Sequence, residues 1–298
     1  MCKKSKVSIL IIVFLLIALA VVGSFYDFEI AKAVYLGELP KENFFGVAFA
    51  FVGIIPVFVG WSFLGAIIFT LTKKQIECQA KRRWLIAFSI LLFVLAFFFF
   101  CNTLMMVNAN AFSVHWAIAY PLGIAILFLA GFAGYKLANS NTNESLLKTT
   151  LILAFASLLI MILVSSTKVI MNRPRFRLVV KTANADCFVN WWQSGKAIKQ
   201  SLKTSAVSND FSSFPSGHSA YSLFAIFIFP ALADFYKKLQ NKKTLLFVAG
   251  FVWWLLTALS RMTIGAHYLT DVCFSGLITV VSYLMVSAIS IKLTKKQN

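Results

Sequence analysis

The chain has 298 residues, 60% of them hydrophobic and 13% charged, with a formal net charge of +18. A mean hydropathy of +0.83 means more apolar surface than a soluble domain of this size can bury, which excludes an ordinary soluble enzyme. The positive charge does not point to nucleic acid, because more than half of the 28 basic residues fall in short segments between apolar runs, where membrane topology accounts for them.

Taken in order, charge-free runs cover 7–26, 44–72, 149–167 and 272–291, each near the roughly 20 residues that cross a bilayer as helix. Shorter candidates lie at 219–233 and 244–260. Between Trp84 and Tyr135 there is no Lys, Arg, Asp or Glu, a length for two spans joined at Asn102, Asn108, Asn110, Ser113 and His115. The expected fold is all-α: a polytopic transmembrane helical bundle of about eight spans. Loop lysines and arginines set its orientation, with the N- and C-termini cytoplasmic. Residues 1–23 have the basic start and apolar core of a signal peptide, but the run is long and reads as a first span.

Two regions are expected. Residues 1–145 hold about four spans and no assigned chemistry; the second span carries Gly53, Pro56 and Gly60 and is expected to kink, and His115 reads as an interfacial group. Residues 146–298 form a catalytic core of about four spans with an outer loop at 176–214. Five cysteines lack any paired metal-ligand spacing, so neither a disulfide framework nor a zinc site follows.

One outer cluster breaks the charge rule: Lys168, Arg173, Arg175 and Arg177 lie within ten residues on the side that should be poor in cations. Arg177 and Lys181 read as long side chains reaching toward lipid headgroups. Lys168 and Arg175 point instead to a bound anion. Phe188, Trp191 and Trp192 read as an interfacial aromatic anchor in preference to a lid over a lipid substrate. The loop closes on Pro215, Ser216, Gly217 and His218, where free helix-entry N–H groups and a close-approach glycine make an anion cradle. The seventh span reaches the same face at Arg261. His267 and Asp271 follow, four residues apart, so that the carboxylate orients the imidazole.

Two histidines and a carboxylate suit a metal triad, but Lys168, Arg175 and Arg261 repel a divalent cation and pair instead with phosphoryl oxygens. No metal and no cofactor is required. In this reading neutral His267 attacks phosphorus, protonated His218 delivers a proton to the leaving alkoxide, and water activated by His218 releases the phosphohistidine. The fixed cations stabilise the transferring oxygens.

These residues resemble the type 2 phosphatidic acid phosphatase superfamily, which includes vanadium haloperoxidases. Its first motif, a lysine, six residues and Arg-Pro, is matched by Lys168 and Arg175, with Phe176 in place of proline; Arg173 followed by Pro174 is the reserve alignment. The second motif is complete at Pro215, Ser216, Gly217 and His218. The third is complete at Ser260, Arg261, His267 and Asp271. The resemblance covers roughly 149–291. It implies that His267 is the nucleophile, Asp271 its orienter and His218 the acid, with Lys168, Arg175, Ser216, Gly217 and Arg261 holding phosphate. The implied substrate is a lipid phosphate monoester or diphosphate, such as phosphatidate, phosphatidylglycerophosphate or a polyprenyl diphosphate. The expected location is the plasma membrane of a prokaryote, with the site facing outward. The alternative is a lipid or anion transporter that uses the basic pocket for binding only.

Overall fold

The computed structural model describes residues 3–39, 41–107, 116–140, 144–202 and 208–295; Asn108, Asn110, Ser113 and His115 lie outside the described residues. Among the described residues the chain is helical, with no strand. Its α-helices are α1 (Lys3–Val34), α2 (Phe44–Val52), α3 (Ile55–Gln75), α4 (Gln79–Val107), α5 (Trp116–Ser140) and α6 (Glu144–Met171). They are followed by α7 (Phe176–Thr182), α8 (Lys196–Ser201), α9 (Gly217–Leu223), α10 (Ala225–Phe235), α11 (Lys243–Thr263) and α12 (Leu269–Lys295). Among the described residues, eight helical stretches are long and apolar enough to cross a membrane: Val7–Val34, Phe44–Gln75, Gln79–Thr103, Tyr120–Ser140, Ser145–Thr182, Gly217–Phe235, Lys238–Thr263 and Leu269–Leu293. The chain is an integral membrane protein with an all-α fold.

Local chemistry explains where these helices start and break. Asn43 caps α2, its side chain accepting from Gly46 N at 2.8 Å. The second span breaks at Gly53 and Ile54, and Pro56 sits in the first turn of α3, where its missing N–H has no intrahelical partner to lose. The first span runs past the charge-free stretch to Val34, with a non-helical residue at Tyr26. Helix α6 stops because Asn172 turns into the left-handed region at φ 47°, a conformation that asparagine tolerates and that closes helices.

The chain packs as two compact units. The first comprises Met1–Gly53, Leu159–Leu223 and Trp254–Ser282; the second comprises Ile54–Leu158, Phe224–Trp253 and Tyr283–Asn298. In the second unit α3, α4 and α5 pack together, with Trp61 Nε1 donating to Ser157 Oγ at 2.7 Å and Ser62 Oγ donating to Leu127 O at 2.7 Å. Such bonds join helices where water is absent. The same three helices line an apolar cavity of about 580 Å³. The first unit has a different interior, built on charge.

Candidate active site

Three stretches of the first unit are stitched together by backbone hydrogen bonds. Ser213 N donates to Arg173 O at 3.0 Å, and Arg175 N to Asp210 O at 2.8 Å. Ser216 N donates to Asp271 O at 3.1 Å, and Arg177 N to Gly265 O at 2.9 Å. Gly265 stands at φ 62°, and a Cβ there would come within 3.0 Å of Arg177 N, so the turn before His267 needs glycine. The turn is closed by Arg261 O, which accepts from both Ala266 N and His267 N, at 3.0 and 3.2 Å.

This stitching brings the charged side chains into one neighbourhood. Arg261, His267, Lys168 and Arg175 all lie within electrostatic reach of His218, and Lys168, Arg175 and Asp271 within reach of His267. Lys168 Nζ donates to Ser212 O at 2.6 Å. Its stem runs beside Gly217, where a Cβ would sit 3.9 Å from Lys168 Cε. Ser216 Oγ accepts from Ser219 N at 3.3 Å, capping α9 and leaving the hydroxyl proton free to donate.

His267 is 1% exposed. Its Nδ1 lies 2.6 Å from Ser213 O and 3.6 Å from Asp271 Oδ2. A carbonyl oxygen only accepts, so Nδ1 carries the proton and the Nε2 lone pair is left free. The nearest orienting group is therefore the Ser213 carbonyl, with the Asp271 carboxylate behind it. His267 lies just before α12, which begins at Leu269. Burial holds the imidazole well below its ordinary pKa; the nearby Asp271 carboxylate opposes this, while Lys168 and Arg175 reinforce it. The group is neutral at neutral pH.

The cations divide into two kinds. Arg173 is fully buried and four of its five N–H donors are engaged: Nε by Val189 O at 2.9 Å, Nη1 by Thr270 Oγ1 at 2.9 Å and Asp271 Oδ1 at 2.7 Å, and Nη2 by Asp27 Oδ2 at 2.9 Å. The Tyr268 and Phe188 rings face its guanidinium, their centroids 4.2 and 5.6 Å away. Arg175 and Arg261 are buried to within 6% and 5% exposure, yet among the described residues the Nε of each has no partner. Arg175 Nη2 donates to Asn209 Oδ1 at 3.0 Å, and the Arg261 side chain makes no hydrogen bond among the described residues. An unmet buried donor costs about 1–3 kcal/mol, more when charged. Every guanidinium nitrogen of Arg173 has a partner, four of its five N–H groups being engaged, whereas Arg175 and Arg261 each leave Nε without one among the described residues.

Phe176, which stands where the resembling motif has proline, occupies the first position of α7, where proline and other residues alike need no intrahelical N–H partner. Its ring packs edge-on against Phe28, Tyr35 and Tyr268, with centroids 5.9, 5.5 and 6.3 Å away. Arg177 and Lys181 differ from their sequence reading. Arg177 pairs with Asp210 at 2.9 Å and Glu38 at 3.3 Å, and Lys181 with Glu38 at 3.1 Å. Their charges are met by carboxylates rather than left to lipid headgroups. Trp191 is likewise tied inward, its Nε1 donating to Ser24 Oγ at 2.9 Å and its ring lying against Phe214 and Phe274.

The family model of the PAP2 superfamily matches residues 149–295. This half of the chain belongs to that superfamily. The match spans Lys168, Arg175, His218, Arg261, His267 and Asp271, and a PAP2 domain on membrane-spanning helices supports a membrane phosphatase of the PAP2 type. No curated protein and no solved structure matches the chain.

Proposed function

We propose that the chain is a metal-independent phosphatase that hydrolyses a lipid phosphate monoester or diphosphate through a phosphohistidine at the outer membrane face. One observation carries the reading: among the described residues, a neutral His267 with Nε2 unencumbered stands among cations, two of which have a buried Nε without a partner. Nε2 attacks phosphorus and the bond from phosphorus to the lipid oxygen breaks, while protonated His218 gives its proton to that oxygen. His218, now neutral, takes a proton from water; the hydroxide attacks phosphorus, the P–N bond breaks, and inorganic phosphate leaves with His267 restored. Asp271, behind the Nδ1 proton, offsets the positive charge the imidazole acquires when phosphorylated. Arg175, Arg261 and Lys168 offset charge on the phosphoryl oxygens. The same cations disfavour a divalent metal. The basic-residue distribution along the chain supports the outward-facing orientation.

The test uses the full chain in detergent with chelator present and a panel of phosphatidate, phosphatidylglycerophosphate and a polyprenyl diphosphate. Wild type is expected to release phosphate from at least one, and His267→Ala to lose about 10⁴-fold or more in kcat. Equal release from both proteins, or release abolished by chelator, overturns the reading.

A further inference from the structure

Asp27 lies on α1, outside the residues of the family match, and is 3% exposed. Its Oδ2 accepts from Arg173 Nη2 at 2.9 Å and from the Thr270 hydroxyl, and its Oδ1 accepts from Thr270 N at 3.0 Å. Thr270 in turn accepts from Arg173 Nη1 at 2.9 Å. Asp27 thus grips both the guanidinium and the backbone of the residue preceding Asp271. The approach is close enough that a Cβ on Gly23 would meet Asp27 Oδ1 and Thr270 Cγ2, each at 2.9 Å.

From this clamp the contacts run to the nucleophile. Arg173 Nη1 donates to Asp271 Oδ1 at 2.7 Å, which leaves Oδ2 to accept from the Ser213 hydroxyl and from Tyr268 N at 2.9 Å while facing His267 Nδ1 at 3.6 Å. A fully buried carboxylate beside a neutral imidazole needs a fixed counter-charge; without one it takes up a proton or turns toward whatever donor it can reach. Arg173 supplies that charge. A guanidinium with one carboxylate partner can follow that partner, whereas Arg173 is held from the opposite side by Asp27 and at Nε by Val189 O.

We propose that Asp27 and Arg173 are positioning residues that, with Thr270, form a buried relay from α1 fixing the Asp271 carboxylate and through it the His267 imidazole. The inference rests on the phosphatase reading, and it assigns α1 a part in the reaction. Arg173 acts through Asp271 rather than on the phosphate.

The relay predicts a kcat effect without a binding effect. With the best substrate of the panel, Asp27→Asn is expected to lower kcat by about 10–100-fold, the usual scale for groups that orient a reacting ligand. KM and the inhibition constant of the product, inorganic phosphate, should stay within about twofold. Arg173→Lys should behave the same way, whereas Arg175→Lys should weaken phosphate inhibition. Thermal unfolding in detergent accompanies each variant. Should Asp27→Asn not fold, Thr270→Val, which removes only the bridging hydroxyl, decides the matter: a lower kcat with unchanged phosphate inhibition supports the relay, and an unchanged kcat overturns it. A folded Asp27→Asn with wild-type kcat overturns the relay, as does weakened phosphate inhibition in Arg173→Lys, which makes Arg173 a phosphate ligand. If wild type itself releases no phosphate, the phosphatase reading fails first and the relay falls with it, an outcome distinct from the others.

Discussion

The two packing units bury different kinds of polar group. The first buries Asp27, Arg173, Arg175, Asp210, Arg261, His267 and Asp271; the second, among the described residues, buries hydroxyls such as Ser62, Thr70, Thr150 and Ser157 and no charged side chain. A buried hydroxyl can satisfy itself on its own helix, as Thr70 does on Ala66 O and Thr150 on Leu146 O, at 2.8 and 2.7 Å. A buried charge cannot. Arg173 draws partners from positions 27, 189, 270 and 271. Charges kept at that cost in a membrane protein mark function, and a hydroxyl-and-hydrocarbon interior marks support.

Substitutions in each unit test the contrast. The largest effect is expected from Arg261→Ala, which removes a guanidinium with no side-chain partner among the described residues: kcat/KM should fall by about 10²–10³-fold with little loss of thermal stability, measured by phosphate release and by unfolding in detergent. A variant that unfolds while wild type is stable would make Arg261 a structural group. In the second unit, Trp61→Phe removes the bond to Ser157 Oγ, worth about 1 kcal/mol. The midpoint of unfolding should drop by about 2–4 °C while kcat stays within twofold; a tenfold loss of kcat would erase the division between the units.

The smallest effect concerns pH. The His267 pKa is depressed in the fold, so between that value and the ordinary imidazole value near 6.5 the unfolded chain binds more protons than the native one. The stability contribution is complete above about pH 6.5 and is lost as pH falls through the window below it. Wild type should therefore lose more stability than His267→Gln between pH 7 and pH 5. Parallel pH profiles would show that burial does not hold the imidazole neutral. The same depression keeps the His267 imidazole unprotonated below the usual histidine range.

Residue patterns made much of this legible. Charge-free runs near span length located the eight crossing stretches, because a helix in lipid must be apolar over the bilayer thickness whatever its neighbours do. The break in the second span was readable from Gly53 and Pro56. The site motifs were readable because histidine, arginine and aspartate beside apolar runs stand out by type. Asp27 was passed over, although a carboxylate immediately after the run at 7–26 was the available signal; it belongs to no motif and its partners lie more than 140 positions away. Ser213 left no signal at all, since its part is played largely by a backbone carbonyl, which every residue has.

The sequence alone therefore determined what depends on composition and short spacing: the membrane class, the spans and the identity of the chemically capable side chains. Only the tertiary structure decided which donors are spent and which remain. Arg173 and Arg175 are two residues apart and identical in type, yet the first is consumed by Asp27, Thr270, Asp271 and Val189, while the Nε of the second has no partner among the described residues. That difference comes from segments brought together across long stretches of chain, because a buried guanidinium is defined by what surrounds it.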